Sequence, residues 1–495
     1  MGILKFNFYP PQLADERPEM SSAYITGPDR MPTATRTELR PGELTCIRKP
    51  NESGCLSIPW RVDSFGWLTL TTATLMERAE PYQLQVELAR GKLNQVRNQA
   101  ADWDLAGFAL PDCERLLREA ESHFARAVTR QQAPPEAVAA AHESLLKSLE
   151  AAELLTRFCT EKLFEIRHRQ HARLPVQLGC ALGTAPVPAG LATSFLEAFN
   201  LAVLPFPWRE VEPTEGEYVW EPADRQLQWC LSRGLAVRGG PLVRFSEDSI
   251  PDWLWLWEAD LPNLLSFVSD IIETTVARYR GRVASWEITG STNLAERLAM
   301  SDEDALRLTL QAVSAARQID PDARCLVGIE QPWGEYLSRG KQSLSPLHFA
   351  DALLRAEPEI AGLNLEVAFG YPARGSQARD LMEWSRLLDL YAQLAVPLHV
   401  TLGAPSGWQP DPNASVAADD GTGWWHKRWD LQAQAECAAE FAGVAISKPY
   451  VQAVTWVHFL DGAPHSLANA GLVGLDGQAK PALARLAELR QEHLR

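Results

Sequence analysis

Glu330 and Glu366 are two carboxylates near the ends of consecutive apolar segments, CLVGIE and LNLEVA. If those segments are adjacent strands, the two side chains lie close together, and repulsion between them raises the pKa of one carboxyl group. A pair of carboxyl groups whose pKa values are separated in this way can act as general acid and general base. We therefore predict Glu330 and Glu366 as the candidate catalytic residues.

Arg238 and Glu287 lie inside apolar segments rather than at their ends. Side chains alternate along a strand, so Glu287 shares its face with Ser291, and Arg238 shares its face with Gly240. An unpaired charge on a buried face is very costly. We predict a buried ion pair between Arg238 and Glu287 with a structural role, and a catalytic Glu287 is the alternative.

A further group of aromatic, charged and amide side chains lies where predicted strands end. Aromatic rings stack on sugar rings or other flat ligands, and arginines bind anionic groups. The predicted substrate-binding residues are Trp208, Arg209, Arg244, Gln331, Trp333, Trp424, Trp425, His426, Trp456 and Asp461.

Two parts of this set have a second interpretation. The aromatic residues of the loop GWWHKRW, at 423–429, either contact a ligand or anchor the loop to the rim of the fold. Arg209 and Arg244 either bind an anionic ligand, such as an acidic sugar or a phosphate, or pair with neighbouring acids, among them Glu247.

These side chains need a scaffold that brings the ends of eight segments together. Short apolar segments alternate with amphipathic helical segments from about residue 174 onward. Eight such units predict a TIM (β/α)8 barrel, in which functional side chains gather at the carboxyl ends of the strands. A doubly wound sheet is the alternative, although the chain has no Gly-rich phosphate fingerprint. The predicted strands span residues 174–182, 200–206, 235–243, 283–290, 323–330, 361–370, 396–404 and 452–460.

Two different regions precede the predicted barrel. Residues 1–78 are rich in Pro, Gly and Thr between short β-like runs, which predicts a small β-rich unit. Residues 79–172 carry apolar side chains at helical spacing, which predicts a helical segment. The barrel is then predicted over residues 173–495.

Composition excludes several classes of partner. The 495-residue chain has a formal net charge of −16 and no long Lys/Arg run, so we expect no nucleic-acid partner. We find no apolar run near the roughly 18 residues that suggest a membrane span, and no recognisable signal peptide.

The eight cysteines form no C-x-x-C pair, which favours reduced thiols in a cytoplasmic protein without a zinc site. We expect no metal and no cofactor, and the sequence does not indicate the oligomeric state.

Several motifs resemble the family 10 glycoside hydrolases, the retaining endo-β-1,4-xylanases, over residues 195–485. The stretch FNLAVLPFPWREVEPTEGEYVWEPADRQLQWCLSRGLAVRGGPLV is similar to the stretch of that family from strand 2 to strand 3. RYRGRVASWEITGST resembles R-Y-K-G-K-I-x-x-W-D-V-V-N-E-A, and VTWVHFLD and KPAL resemble the strand 8 motif and the closing K-P-A. The resemblance implies a (β/α)8 barrel and a carbohydrate ligand.

The catalytic residues of that family are not found at the matching positions. The resemblance places Ser291 where the family has its general acid, and Leu402 where it has its nucleophile. Ala368 stands where the family has the histidine that supports the nucleophile. The family's strand 2 motif E-N-E-M-K-W, which binds the sugar, is reduced to FPW in this chain. Retaining hydrolysis needs two carboxyl groups about 5–5.5 Å apart. We therefore do not expect standard xylanase activity.

Three functions agree with these observations. The first is an unusual glycoside hydrolase with a rebuilt active site, supported by the fold, the inward acids and the aromatic loop. The second is a non-catalytic glycan-binding or scaffold protein, supported by the joint loss of acid, nucleophile and sugar-binding residues. The third is a barrel enzyme that acts on a small cytosolic metabolite, because polysaccharides are met mostly outside cells. The fold does not separate them.

Overall fold

The computed structural model describes residues 2–246, 249–258, 260–294, 300–340, 342–356, 359–372 and 375–495. Glu247 and Asp248, which belong to the predicted end of the third barrel strand, lie outside these ranges. No helix in the described ranges combines the length and the apolar character needed to cross a bilayer.

The N-terminal region forms two β-sheets. One sheet has the strand order β4-β5-β1-β8, and in the other β7, β6, β2 and β3 are neighbours. Alternating buried apolar side chains, such as Leu4, Phe6 and Ile58, fill the core between these strands and the rest of the chain. The first sheet extends past the predicted boundary at residue 78, because β8 pairs with β1. The strands are β1 (Gly2–Asn7), β2 (Tyr24–Thr26), β3 (Pro32–Thr33), β4 (Thr35–Arg40), β5 (Glu43–Arg48), β6 (Cys55–Val62), β7 (Gly66–Thr71) and β8 (Tyr82–Gln83).

Helices dominate the following segment. After the short α1 (Leu13–Glu16), the chain forms α2 (Leu84–Leu105), α3 (Pro111–Thr129) and α4 (Pro134–Gln170). Both α3 and α4 begin with Pro in the first turn, where the missing N–H costs nothing. One face of α4 is buried at helical spacing, by Ala141, Leu145, Leu149, Ala152 and Leu155. The division of the chain at residues 78 and 172 stays a prediction.

Eight parallel strands close into a barrel, which confirms the predicted fold. Each strand pairs in parallel with the next, and the eighth pairs with the first. The short β12 extends the third strand beyond a break at Gly240. The barrel strands are β9 (Gln177–Ala181), β10 (Leu201–Leu204), β11 (Ala236–Gly239), β12 (Val243–Arg244), β13 (Ser285–Gly290), β14 (Cys325–Glu330), β15 (Ile360–Ala368), β16 (Leu398–Gly403) and β19 (Val451–Trp456).

Helices surround the barrel and begin at defined caps. The side chains of Asp260, Ser301, Ser345, Asp380 and Asp430 each accept a hydrogen bond from a backbone N–H of the first turn. Such caps satisfy N–H groups that the helix itself leaves open. The helices are α5 (Ala192–Ala198), α6 (Trp208–Val211), α7 (Glu221–Leu231), α8 (Leu261–Tyr279), α9 (Asp302–Ile319), α10 (Pro346–Arg355), α11 (Leu381–Ala392), α12 (Leu431–Ser447) and α13 (Pro481–His493).

Three short strands lie in the loops of the barrel. They are β17 (Ala414–Val416), β18 (Trp424–Trp425) and β20 (His465–Leu467). β17 pairs with β20 beside the barrel mouth. β18 pairs with β7, so a barrel loop adds the edge strand to an N-terminal sheet.

Candidate functional site

A cavity of about 460 Å³ opens at the carboxyl ends of the barrel strands, and we call it the mouth cavity. Its size falls within the range of small-molecule sites. Polar side chains from several strands face it, including Glu287, Asn364, Glu366, Thr401 and Thr455. Trp208, Trp456 and Phe206 contribute aromatic surface. The mouth cavity therefore offers hydroxyl, amide, carboxylate and aromatic groups to a ligand.

Arg244 lies at the centre of the polar groups near the mouth. Its Nη1 donates to Ser291 Oγ at 2.9 Å, to Glu330 Oε2 at 3.1 Å and to Glu366 Oε1 at 3.4 Å. Its Nη2 donates to Glu366 Oε2, and Ser291 Oγ donates to Glu330 Oε2. The strand register sets this up, because Glu330 of β14 is the pairing partner of Glu366 of β15. The two predicted carboxylates are thus brought together, with one guanidinium shared between them.

The electrostatics of this cluster favour ionised groups. Burial lowers the pKa of Arg244, but the charges of Glu366 and Glu330 outweigh that effect and raise it above its ordinary value. By reciprocity, the same cation stabilises the charged form of each carboxyl group that it contacts. Glu330 is almost fully buried and does not line the mouth cavity, whereas Glu366 does. The prediction of a catalytic role for the two glutamates stays a prediction.

Arg238 and Glu287 both lie buried inside the barrel, but they do not form the predicted ion pair. Arg238 Nη2 hydrogen-bonds His399 Nδ1 at 2.7 Å, and Glu287 Oε2 accepts from Asn364 Nδ2 at 3.0 Å. The strand register explains the difference, because Arg238 pairs with Ser285, two residues before Glu287. The two charges still interact. Glu287 raises the pKa of Arg238 and Arg238 lowers the pKa of Glu287, and both effects oppose that of burial.

Burial shifts the pKa values of all three groups toward their neutral forms. It lowers the pKa of Arg238 to about 10 and raises the pKa of Glu287. Burial and the Arg238 charge lower the pKa of His399 to about 2, so its ring is neutral and its Nδ1 accepts a hydrogen bond from the guanidinium. Glu287 lines the mouth cavity, and its raised pKa means that it keeps a proton more readily than an ordinary glutamate, as does Glu210 in the same cavity.

The end of β16 is where the resemblance to xylanases places the lost nucleophile. Leu402 packs in the hydrophobic core, whereas the neighbouring Thr401 lines the mouth cavity. Because side chains alternate, the next inward position is Gly403, where a side chain would meet Val457 of the cavity wall. The segment LHVTLGA contains no Asp or Glu, so no choice of register places a carboxylate here.

Two predicted binding residues besides Arg244 line the mouth cavity. They are Trp208 and Trp456, and their edges are fixed by hydrogen bonds from Nε1 to Glu212 Oε2 at 2.7 Å and to the Ala470 carbonyl at 2.7 Å. The indole rings are therefore held in place before any ligand arrives.

Four other predicted binding residues lie outside the mouth cavity. Arg209 pairs with Asp252, and neither residue lines it. Gln331 is buried at a bend with φ of +49°, and Trp333 lies under Arg379 in a different cavity. Asp461 accepts from Lys480 at 2.5 Å and from Gly471 N at 2.7 Å, which makes it a structural anchor.

The loop that holds Trp424, Trp425 and His426 docks on the N-terminal sheet. Trp425 is buried and donates to Glu153 Oε1 at 3.2 Å, while His426 Nε2 lies 2.9 Å from the same oxygen. Trp424 packs edge-on against Trp67 at 5.1 Å. These rings do not line the mouth cavity, because the pairing of β18 with β7 holds the loop on the N-terminal sheet, and ligand binding by them stays a prediction.

Sequence analysis missed several cavity residues. Asn364, Thr401 and Thr455 are polar side chains inside barrel strands, and alternation from Glu366 could have identified Asn364. Glu210, His458 and His465 also line the cavity. Residues 412–415 and 464–467 also line the mouth cavity. No sequence pattern could have predicted this, because their position depends on the pairing of β17 with β20.

His458, Asp461 and His465 have potential metal-ligating atoms within 4.8 Å of one another. His458 Nε2 lies 3.1 Å from Asp461 Oδ1, and His465 Nε2 lies 3.0 Å from Asp411 Oδ2. Lys480 already places a positive charge on Asp461. These contacts show that the three side chains belong to an internal network of hydrogen bonds and ion pairs, which explains why they lie close together.

Comparison with known proteins bears on the class of this barrel. Residues 205–326 match the model of glycosyl hydrolase family 10. The matched segment runs from the end of β10 into β14, so it contains Ser291 but none of β15, β16 and β19. With the closed barrel, this match defines a glycoside hydrolase-like protein that resembles the xylanases.

The curated relatives include endo-1,4-beta-xylanases of bacteria and of fungi. The chain is 28% identical to endo-1,4-beta-xylanase B of Thermotoga neapolitana over 127 residues, which are 23% of this chain and 34% of the relative. It is 25% identical to endo-1,4-beta-xylanase B of Paenibacillus barcinonensis over 207 residues, which are 39% of this chain and 58% of the relative. The matches thus span about a third and somewhat over half of these curated relatives. Among solved structures, it is similar to xylanase 10B of Thermotoga petrophila RKU-1 in complex with xylobiose, with 17% identity, a TM-score of 0.48, and coverage of 68% of this chain and 97% of the other.

Proposed function

We propose that this protein binds an uncharged saccharide in the mouth cavity and does not hydrolyse it by the retaining mechanism. The observation that carries the proposal is the Arg244 guanidinium, which is held among Ser291, Glu330 and Glu366. It places a permanent cation where the resemblance to xylanases expects a proton donor.

The loss of both catalytic positions argues against retaining hydrolysis. That mechanism uses one carboxyl group as the acid and a second as the nucleophile. Ser291 stands at the first position, and the end of β16 carries no carboxylate at the second.

The lining of the mouth cavity supports an uncharged saccharide as the ligand. Hydroxyl, amide and carboxylate groups can bond sugar hydroxyls, and Trp208 and Trp456 offer apolar ring surface. The cavity is lined by two arginines, Arg238 and Arg244, and by three glutamates, so it does not attract an anion. The xylobiose complex of the Thermotoga petrophila relative is consistent with this class of ligand.

A glycoside hydrolase with a rebuilt site is the second candidate, and Glu287 favours it. Glu287 lines the cavity, its pKa is raised by burial, and the charge of Glu366 raises it further. A protonated Glu287 and an ionised Glu366 would then act as acid and base. This candidate requires product formation that depends on both residues.

The eight cysteines support the cytoplasm as the location that we propose. All of them are free thiols, and seven are buried. Free cysteines without disulfides are typical of a reducing compartment.

A glycan array tests binding at the mouth cavity. Ala414 lines the cavity and is half-buried, whereas Ala417 on the same loop is exposed and does not line it. We expect an uncharged oligosaccharide to bind the native protein and the Ala417→Trp variant, and to lose at least tenfold in affinity for Ala414→Trp. Equal affinity of both variants, or no saccharide binding at all, would reject the proposal.

A further inference from the structure

A second cavity of about 410 Å³ lies where the N-terminal sheet and α2 meet α11 of the barrel, and we call it the interface cavity. Tyr24 and Ser57 line it from the sheet, Lys92 from α2, and Asp380 and Leu387 from the barrel. None of its residues lines the mouth cavity, so it is a separate site.

Positive charge exceeds negative charge among the residues that line the interface cavity. The cations are Arg30, Lys92, Arg379 and Arg386, and the carboxylates are Asp380 and Glu383. This excess is local, since the whole chain has a formal net charge of −16. A cationic pocket on an acidic protein favours an anionic ligand.

Ion pairs account for both of these carboxylates. Lys92 Nζ lies 2.8 Å from Asp380, and Arg386 Nη1 lies 3.3 Å from Glu383. Two of the four cations therefore have a lining carboxylate as partner, and Arg379 pairs with Glu335, which lies outside the lining. Arg30 is the lining cation without an ion pair in the described part of the chain, so an incoming anion would meet it first.

Arg379 is a buried cation whose Nε–H donor is not used within the described part of the chain. Its Nη2 donates to Tyr24 Oη at 2.7 Å and to Glu335 Oε1 at 3.1 Å, and the guanidinium lies 4.9 Å from the Trp333 ring. Its Nε–H has no acceptor in the part of the chain that the structure describes. The side chain is only 3% exposed, so an unsatisfied donor here is costly unless a ligand or solvent accepts from it.

Arg30 has a free guanidinium at the cavity edge. No ion pair or side-chain hydrogen bond of Arg30 is formed within the described ranges. Burial and the neighbouring charge of Arg386 lower the pKa of Arg30, and the charge of Glu383 partly offsets them. A bound anion would relieve the repulsion between the two cations.

The uncharged residues that line the interface cavity suit a small polar ligand. Asn94, Gln95 and Asn98 of α2 present amides along the cavity, and Thr71 and Thr74 add hydroxyl groups. Trp333, Leu387 and Leu390 supply an apolar floor. This combination of amides, hydroxyls and one aromatic ring suits a polyhydroxylated molecule.

We propose that the interface cavity binds a small polyhydroxylated oxyanion, with its charged group bound by Arg30, Arg379 and Arg386. Guanidinium groups bind carboxylate and phosphate oxygens through paired hydrogen bonds, so a sugar acid and a sugar phosphate share the required chemistry. The site does not depend on saccharide binding at the mouth cavity.

Calorimetric titration at low ionic strength tests this proposal with three probes: D-glucuronate, D-glucose 6-phosphate and D-glucose. We expect saturable binding of at least one of the two anions and none of neutral glucose at the same concentrations. The anion that binds identifies a carboxylate or a phosphate as the charged group. The absence of binding by both anions, or equal binding of glucose, would overturn the proposal.

A double variant, Arg30→Gln with Arg386→Gln, tests the position of the site. Both side chains lie at the cavity edge and neither is fully buried, so the fold should survive, which a thermal melt verifies. We expect at least a tenfold weaker affinity for the bound anion, whereas the control Arg36→Gln, exposed on the N-terminal sheet, keeps native affinity. Native affinity in the double variant would overturn the assignment.

Discussion

At the scale of single residues, the cluster around Arg244 explains how two neighbouring carboxylates are stabilised at the mouth of the barrel. Glu330 and Glu366 contribute two negative charges at positions that pair across neighbouring strands, and Arg244 neutralises part of that charge. Ser291 completes the cluster through its hydroxyl group. These groups stabilise one another. Removing one of them therefore leaves the others as uncompensated buried charges, which lowers the free energy of unfolding.

Arg244→Met should destabilise the protein by about 3–5 kcal/mol, because it removes the cation shared by the buried Glu330 and the half-buried Glu366. The free energy of unfolding from urea titration measures the loss. A triple variant that adds Glu330→Gln and Glu366→Gln should recover a large part of it. A single variant within 1 kcal/mol of the native protein would show that the cluster contributes little.

His458 gives a testable pH dependence of stability. Burial lowers its pKa from the ordinary 6.5 to about 4, against the attraction of Asp461, and with a further contribution from the neighbouring His465. Between those two pH values the unfolded chain holds a proton at this site that the folded protein does not. Stability from this group is therefore complete above pH 6.5 and is lost as the pH falls toward 4.

The variant His458→Gln isolates that contribution. We expect its unfolding free energy between pH 6 and pH 5 to fall less steeply than that of the native protein, by up to about 1.4 kcal/mol per pH unit. The difference between the two slopes cancels the contribution of other groups, including His399, whose pKa is also lowered. Parallel slopes would mean that His458 titrates alike in the folded and unfolded chains.

At the scale of elements, the docking of β18 on β7 ties the barrel to the N-terminal region. Gly66 makes the approach possible, because its φ of +96° and its lack of a side chain let the backbone of Trp424 lie close to it. Arg61 lies over both the Trp67 and the Trp424 rings, at 4.5 and 5.5 Å from their centres. The loop therefore behaves as part of a sheet rather than as a cleft wall.

Gly66→Ala should undock β18, since a Cβ at this position would meet the Trp424 carbonyl and the His426 amide. We expect a loss of at least about 1 kcal/mol of stability, together with faster proteolytic cleavage in residues 409–429. Gly190→Ala is the matched control, because its Cβ would contact nothing within 4 Å. Equal protection of the loop in both variants would contradict this role for the pairing.

Local patterns predict the elements better than the contacts between distant ones. The eight barrel strands could be predicted because apolar runs, turn residues and helical spacing are local signals. The inward direction of Glu287 followed from alternation, but the His399 partner of Arg238 depends on the offset between strands on opposite sides of the barrel. The positions of Trp424 and Trp425 depend on pairing with β7, an edge strand more than 350 residues earlier in the chain. No local sequence pattern indicates such a long-range pairing.

At the scale of the whole molecule, the two cavities differ in charge and in construction. The mouth cavity is built by barrel strands and contains more carboxylates than cations, whereas the interface cavity joins the N-terminal region to the barrel and contains more cations. The first suits an uncharged saccharide and the second an oxyanion. The N-terminal region thus completes the interface cavity as well as supporting the barrel loop.

The central claim is that the mouth cavity holds a saccharide without cleaving it. The most direct measurement is the release of new reducing ends over time from the oligosaccharide that binds best, with Ala414→Trp as the blank. We predict no release above the blank. Release by the native protein that is absent in Ala414→Trp and is abolished in Glu366→Gln would contradict the account and establish a rebuilt hydrolase.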